Sequence, residues 1–342
     1  MRTKSTGGWI PYMLGAAAGT FLLAFVPSNA WLNGAQTSGE MLSAITLKHL
    51  LTVLLLLIVP ALWARLAHLT TAWVLIGLSA LAFGCAVWLN GDPVSALYTA
   101  GFIVLPGAGL YGLQKRKLTN FRTVIYESFV ILAALFVLVC LRDLIESGDA
   151  YRSFRGVIAL YGQVVKETDF SGMSISGADL AGEMQATADA FRVSAETVCV
   201  PILLLPAMAA GLSGTLFSHL FNRKGGAALS PLPRFEAWRC ERWYVILTVV
   251  FLFVTMTLGM FGVQTANALS GVADTLWRLP CMLAGLCALR RFGVVSGRKW
   301  PFRFAIVLLI LLPPIMGMLL SIIGMLASLR KPKNVEEDGG RK

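Results

Sequence analysis

Residues 124–141 read VIYESFVILAALFVLVCL, with Glu127 as their one charge. A bilayer's hydrocarbon core is ~30 Å thick and takes ~20 apolar residues as a helix. A continuous run of this kind is a membrane helix and not a barrel strand, since barrel strands alternate polar and apolar residues over ~10 positions. Four comparable runs precede it: Trp9 to Phe25, His49 to Trp63, Thr71 to Leu89 and Pro93 to Leu113. Four follow it: Val198 to Phe221, Trp243 to Val263, Gly271 to Leu289 and Phe302 to Ala327. The expected fold is therefore all-α, a polytopic transmembrane helical bundle with 8–9 membrane segments. Residues 1–141 hold segments one to five, 142–196 a polar block, 197–329 the remaining segments, and 330–342 a charged tail.

Composition agrees. Of 342 residues, 56% are hydrophobic and 14% charged, with a mean hydropathy of +0.71. Soluble domains carry ~25% charge, so a water-facing exterior is excluded. The net charge of +11 does not point to nucleic acid, because the positive residues are divided among loops instead of gathered on one soluble face. The six cysteines, Cys85, Cys140, Cys199, Cys240, Cys281 and Cys287, lie in or beside spans without metal-type spacing and read as small buried hydrophobes. His49, His68 and His219 stand near span ends, far apart in sequence, and define no metal site.

Loop charge sets orientation, since Arg and Lys concentrate on the cytoplasmic side. Arg2 and Lys4, then Arg65, then Lys115, Arg116, Lys117 and Arg122, then Arg223 to Arg242, then Arg290 to Lys299 alternate with loops poor in positive charge. The N-terminus is expected in the cytoplasm of a bacterial inner membrane. The first segment also carries Ser28-Asn29-Ala30, a small-residue cleavage pattern, but its length favours retention as a first span. The tail breaks the alternation, because nine full spans would put Arg330, Lys331 and Lys333 outside. Pro313-Pro314 leaves two solutions, a kinked full span or a broken, partly re-entrant segment that returns the tail inside.

The block Arg142 to Glu196, expected outside, carries nine acidic and five basic residues. Gly177 to Ala195 reads as a helix with Leu180, Met184 and Phe191 at helical spacing. On the cytoplasmic side, Arg234 to Arg239 reads as a helix that aligns Arg234, Trp238 and Arg242 on one face. Such a face anchors to anionic headgroups or meets a partner.

The polar positions inside spans are few. Asp92-Pro93 reads as an N-cap followed by Pro at the first helical position. Pro106 to Gly112 lacks a preceding strand, so its glycines read as close helix packing and not as a phosphate loop. Glu127, Asp274 and Arg278 are the candidates for a substrate cavity, because intramembrane charges mark functional sites. Asp274 and Arg278 stand at i, i+4, where they also neutralise each other. Gly15 and Gly19, likewise four apart, are candidates for helix packing. No catalytic set, metal cluster or cofactor motif is present in the sequence. The expected partners are the lipid bilayer and other membrane subunits.

Pro201, Leu205-Pro206, the stretch Pro231-Leu232-Pro233-Arg234-Phe235-Glu236-Ala237-Trp238, then Pro313, Gly324 and Leu329-Arg330-Lys331 carry a resemblance. Over roughly Val124 to Lys331 the chain resembles the YybS-like family of bacterial membrane proteins (a domain of unknown function, DUF 2232). The resemblance implies a multi-helix membrane domain related to substrate-capture subunits of energy-coupling vitamin transporters, and it implies no catalytic residues. Small-molecule binding within the bundle, as part of transport, is the expectation. The alternative is a membrane scaffold or assembly protein without transport activity.

Overall fold

The computed structural model describes residues 8–28, 37–167, 182, 184–186, 195–222, 232, 234–298 and 300–330. Among these it is helical, with no strand. Seven helical stretches are long and apolar enough to cross a membrane: Ser38–Leu69, Trp73–Asn90, Pro93–Lys115, Asn120–Ser147, Cys199–Asn222, Arg242–Met260 and Leu269–Ser296. The chain is a multi-pass membrane protein. Its helices leave Trp73, Ile76 and Trp88 exposed on one span and Phe253 and Met256 on another, a distribution that suits lipid and not water. Two units divide between Ser230 and Pro231.

The first unit contains α1 (Ile10–Phe25), α2 (Ser38–Leu69), α3 (Trp73–Asn90), α4 (Pro93–Lys115) and α5 (Asn120–Phe136). After α5, a π turn over Val137–Leu141 leads to α6 (Arg142–Ser147), α7 (Arg152–Glu167) and α8 (Ala195–Asn222). Local chemistry starts several of these. Thr37 and Glu40 form a reciprocal capping box on α2. Gly91, at φ +68°, closes α3 in the left-handed region, and Asp92 accepts from the N–H groups of Val94 and Ser95 to open α4. Trp63 sits fully buried at the centre, its Nε1 donating to Thr20 Oγ1 at 2.9 Å. Gly107 lets α4 lie against that ring, where a Cβ would come within 2.5 Å of Trp63 Cε3. Gly211 of α8 rests on the backbone of α5 at Val124 and Ser128. The sequence groups α8 with the later spans, yet it packs against α2 and α5 in the first unit.

The polar block contributes α7, which the sequence did not reveal as a helix. Asp143, 3% exposed, accepts from the Ser153 N–H and hydroxyl at 2.6 and 2.9 Å and so caps the start of α7. Ser38 Oγ donates to Glu167 at its far end. The helix expected over Gly177 to Ala195 lies outside the described residues except for 182, 184–186 and 195.

The second unit contains α9 (Arg242–Met260), α10 (Gln264–Ser296), α11 (Trp300–Leu311) and α12 (Pro313–Leu329). The uncharged stretch Gln264 to Ser270, expected as a loop, forms the opening turns of α10. The expected helix over Arg234 to Arg239 is corrected. Only a 3-10 turn, Phe235–Ala237, forms there, and Trp238 is extended. A helix would bond the Cys240 N–H to the Glu236 carbonyl, but each finds a different partner. The Glu236 carbonyl accepts from Arg291 Nε at 2.8 Å, and the Cys240 N–H donates to Ser328 Oγ at 3.2 Å. Tertiary bonds override local propensity, so Arg234, Trp238 and Arg242 do not share a helix face.

The last apolar run is broken, not kinked. Leu312 leaves the helical region at φ −133°, ψ 60°, between α11 and α12. Near the start of α11, the Phe302 ring meets Phe235 at 6.1 Å, and near the end of α12, Ser328 meets Cys240. As one continuous helix, 302 and 328 would stand about 39 Å apart at 1.5 Å per residue. The five residue steps from 235 to 240 reach at most about 18 Å, so α11 and α12 fold back as a hairpin. α12 crosses α10 with backbones in contact. A Cβ on Gly324 would lie 1.8 Å from the Cys281 carbonyl oxygen, and one on Gly285 would lie 2.0 Å from that of Leu320.

Candidate functional site

Four helices of the first unit end in polar residues, and packing gathers those ends. From α2 come Arg65 and His68, from α4 Tyr111 and Gln114, from α5 Asn120, Thr123 and Glu127, and from α8 Thr215, Ser218, His219 and Asn222. Arg65 Nη1 donates to Asn222 Oδ1 at 2.6 Å while its guanidinium stacks over Tyr12, 5.4 Å from the ring centre. His68 Nε2 donates to Gln114 Oε1 at 3.0 Å, and its ring lies 4.8 Å from Tyr111. His219 Nε2 donates to Asn120 Oδ1 at 2.8 Å.

Between α4, α5 and α8 these residues leave a recess. Gln114, Asn120, Thr123, Thr215, Ser218 and His219 line it, with Lys117 and Leu118 at the connecting turn. The centre of a water-sized molecule has about 20 Å³ of space there, enough for a water or a small ion. Glu127 does not itself line the recess but lies one turn beyond Thr123 on the same side of α5. Glu127 is 0% exposed, and neither of its carboxyl oxygens has a hydrogen-bond partner among the described residues. The Ser218 hydroxyl oxygen is buried in the same condition. Buried polar groups are ordinarily paired, and an ionisable side chain inside a membrane bundle marks a functional position.

The other sequence candidates lie elsewhere. Asp274 and Arg278 pair with each other on α10 of the second unit, Oδ1 to Nη2 at 2.8 Å, each side chain about a third exposed (35% and 37%). They do not line the recess. Gly15 and Gly19 of α1 face α2, where added Cβ atoms would come 3.4 Å from Leu62 and 2.7 Å from Val59. In the second unit, the Glu236 carboxyl is held below its ordinary value by its own backbone N–H, with Arg290 adding to the effect. No group of three or more His, Cys, Asp or Glu among the described residues could hold a metal.

Sequence reasoning found Glu127 but not its neighbours. Each of them sits unremarkably at a span end, and only the antiparallel packing of α5 on α8 brings residues about a hundred positions apart together. The signal available was the repeated placement of His, Gln and Asn at those ends. Comparison of the chain with family models, curated proteins and solved structures gives no match.

Proposed function

We propose that this chain is a protein of the bacterial inner membrane, with its N-terminus cytoplasmic, that binds a small polar solute in the recess of the first unit as part of transport. The observation that carries the reading is Glu127, a fully buried carboxyl with no hydrogen-bond partner among the described residues, one turn along α5 from a polar recess. Retaining such a group in a membrane bundle is costly, and a bound solute that supplies its missing partner accounts for the cost. The recess admits a water-sized occupant, so a larger ligand of the kind taken by substrate-capture subunits requires the helix ends to part. Loop charge supports a cytoplasmic position for the recess, next to Lys115, Arg116 and Lys117. In this reading α1 to α5 and α8 to α10 make eight crossings. The α11–α12 hairpin is re-entrant, which returns Arg330 and the tail to the cytoplasm in keeping with its charge.

The test is thermal unfolding of the purified protein in detergent against sodium, potassium, ammonium, phosphate and formate salts, with choline chloride as the ionic-strength control. Glu127→Gln keeps the shape and removes the acid, and Ser218→Ala removes the second unpartnered group. At least one solute is expected to raise the wild-type Tm, as selective binding to the folded state requires, with the shift lost in Glu127→Gln. Shifts of equal size in wild type and variant for every solute would sink the proposal.

A further inference from the structure

All six cysteines are thiols in this structure, and they include two pairs in contact, Cys240 with Cys281 in the second unit and Cys140 with Cys199 in the first. Cys140 and Cys199 lie with their Sγ atoms 3.8 Å apart, at 0% and 1% exposure. Cys140 belongs to the π turn Val137–Leu141, and Cys199 to the opening turns of α8. A π turn adds one residue to a helical turn and recurs at functional positions. Here the widened turn, which continues α5 beyond Phe136, is what meets α8 through sulfur.

We propose that Cys140 and Cys199 are a disulfide-forming pair that covalently ties α5 to α8 in the mature protein. A disulfide requires the sulfurs to close to ~2.05 Å, about 1.8 Å nearer than their present contact, through side-chain rotation and a small helix shift. Residues 141–198, which contain the acidic block Arg142 to Glu196, run between the two cysteines, and both lie at its junctions with the membrane helices. The inference rests on the sidedness proposed above, which puts this end in an oxidising, extracytoplasmic compartment. The co-reactant is the disulfide of an extracytoplasmic thiol oxidant. The Cys140 thiolate attacks one oxidant sulfur, breaking the oxidant's S–S bond and releasing its other sulfur as a thiolate. The Cys199 thiolate then attacks the Cys140 sulfur, forming the Cys140–Cys199 bond and expelling the second oxidant thiolate. The two protons lost by the cysteines end on the reduced oxidant. Exchange takes place during insertion, before α5 and α8 pack. Packing afterwards shields the bond from reductants, since buried sulfur is inert. The tie secures the same pair of helices whose opposite ends hold the polar recess.

The test uses full-length protein in bacterial cells quenched in acid to trap thiol states, then denatured and alkylated with and without reduction. The expected count is four alkylated cysteines before reduction and all six after it. A Cys140–Cys199 linked peptide two hydrogens lighter than the dithiol form is expected as well. Cys140→Ser should leave every remaining cysteine alkylated without reduction. Six alkylated cysteines in unreduced wild type would overturn the inference, and the wild-type measurement decides this whatever the variant does to folding. A cysteine introduced at Ser174 and labelled by an impermeant reagent reads the sidedness separately. Labelling from outside together with six free thiols defeats the disulfide alone, whereas labelling only from the cytoplasm defeats the orientation from which it was inferred.

Discussion

Tyr244 supplies the hydrogen bond that Pro280 removes. Pro280 has no N–H for the carbonyl four residues back, that of Leu276, and the Tyr244 hydroxyl donates to this carbonyl at 2.7 Å. Tyr244 is 3% exposed, so the carbonyl is met by α9 away from water. A proline in the middle of α10 is thereby made compatible with a membrane helix, which must satisfy its backbone internally or through a neighbour.

Tyr244→Phe should accordingly destabilise the second unit by roughly 0.6–2 kcal/mol, between the average interhelical bond in a bilayer and the cost of an unmet buried carbonyl. In a Pro280→Ala background the helix provides its own donor, and the same Tyr244→Phe change should cost much less. Reversible unfolding in mixed micelles gives the double-mutant cycle. Equal costs in the two backgrounds would refute the compensation.

Gly324→Ala should be among the most damaging single changes, because its Cβ would lie 1.8 Å from the Cys281 carbonyl oxygen and 2.5 Å from the Gly285 nitrogen. Backbone cannot yield as a side-chain tip can, so a loss of about 3 kcal/mol is expected. Gly84→Ala, with nothing within 4 Å of the added carbon, should be neutral or slightly stabilising. The yield of monodisperse protein and its Tm separate the two.

The pair Asp274–Arg278 should behave asymmetrically. Replacing both by Leu removes a desolvation cost together with the attraction that offsets it, so the double variant should be as stable as wild type or more so. Either single change leaves one charge without its partner and should lower the Tm by several degrees. A double variant less stable than both singles would show that the pair is needed for folding.

Acid should weaken the α3–α4 turn. The Asp92 carboxyl is held below its ordinary value first by the Ser95 N–H, then by the Ser95 hydroxyl and the Val94 N–H. A carboxyl with a depressed folded pKa contributes fully above its unfolded value, ~3.9, and loses that contribution as pH falls through the folded value. The Tm advantage of wild type over Asp92→Asn should therefore be steady from pH 7 to pH 5 and shrink below pH 4. An advantage that grows toward low pH would contradict the cap.

The helical membrane character of the chain was legible because it depends on composition and run length, which lipid enforces residue by residue. Asp92-Pro93 was legible for a similar reason, since capping is local. What escaped was whatever depended on a distant partner. The stretch Arg234 to Arg239 has helical spacing, but Arg291 and Ser328 take up the hydrogen bonds its helix would have needed. The amphipathic α7 lies inside an acidic block whose net charge masks its apolar face of Phe154, Val157, Ile158, Tyr161 and Val165. Glu127 stood out as the only charge in its run, whereas His68, Gln114, Asn120 and His219 gained meaning only when four helix ends met. Cys140 and Cys199 are separated by the whole polar block, and neither has a spacing that announces the other.

The break at Leu312 bears on how the protein is made. With 12 and 17 residues, α11 and α12 measure about 18 and 26 Å, each short of a ~30 Å hydrocarbon core. The 12-residue α11 is too short to stop transfer by itself, and Pro313 and Pro314 deny the join two helical donors. The hairpin therefore gains its place from α10, whose Gly285 and Cys281 surface must already stand in the bilayer when α12 arrives. The expected order of assembly is therefore α10 first and the hairpin docking on it last.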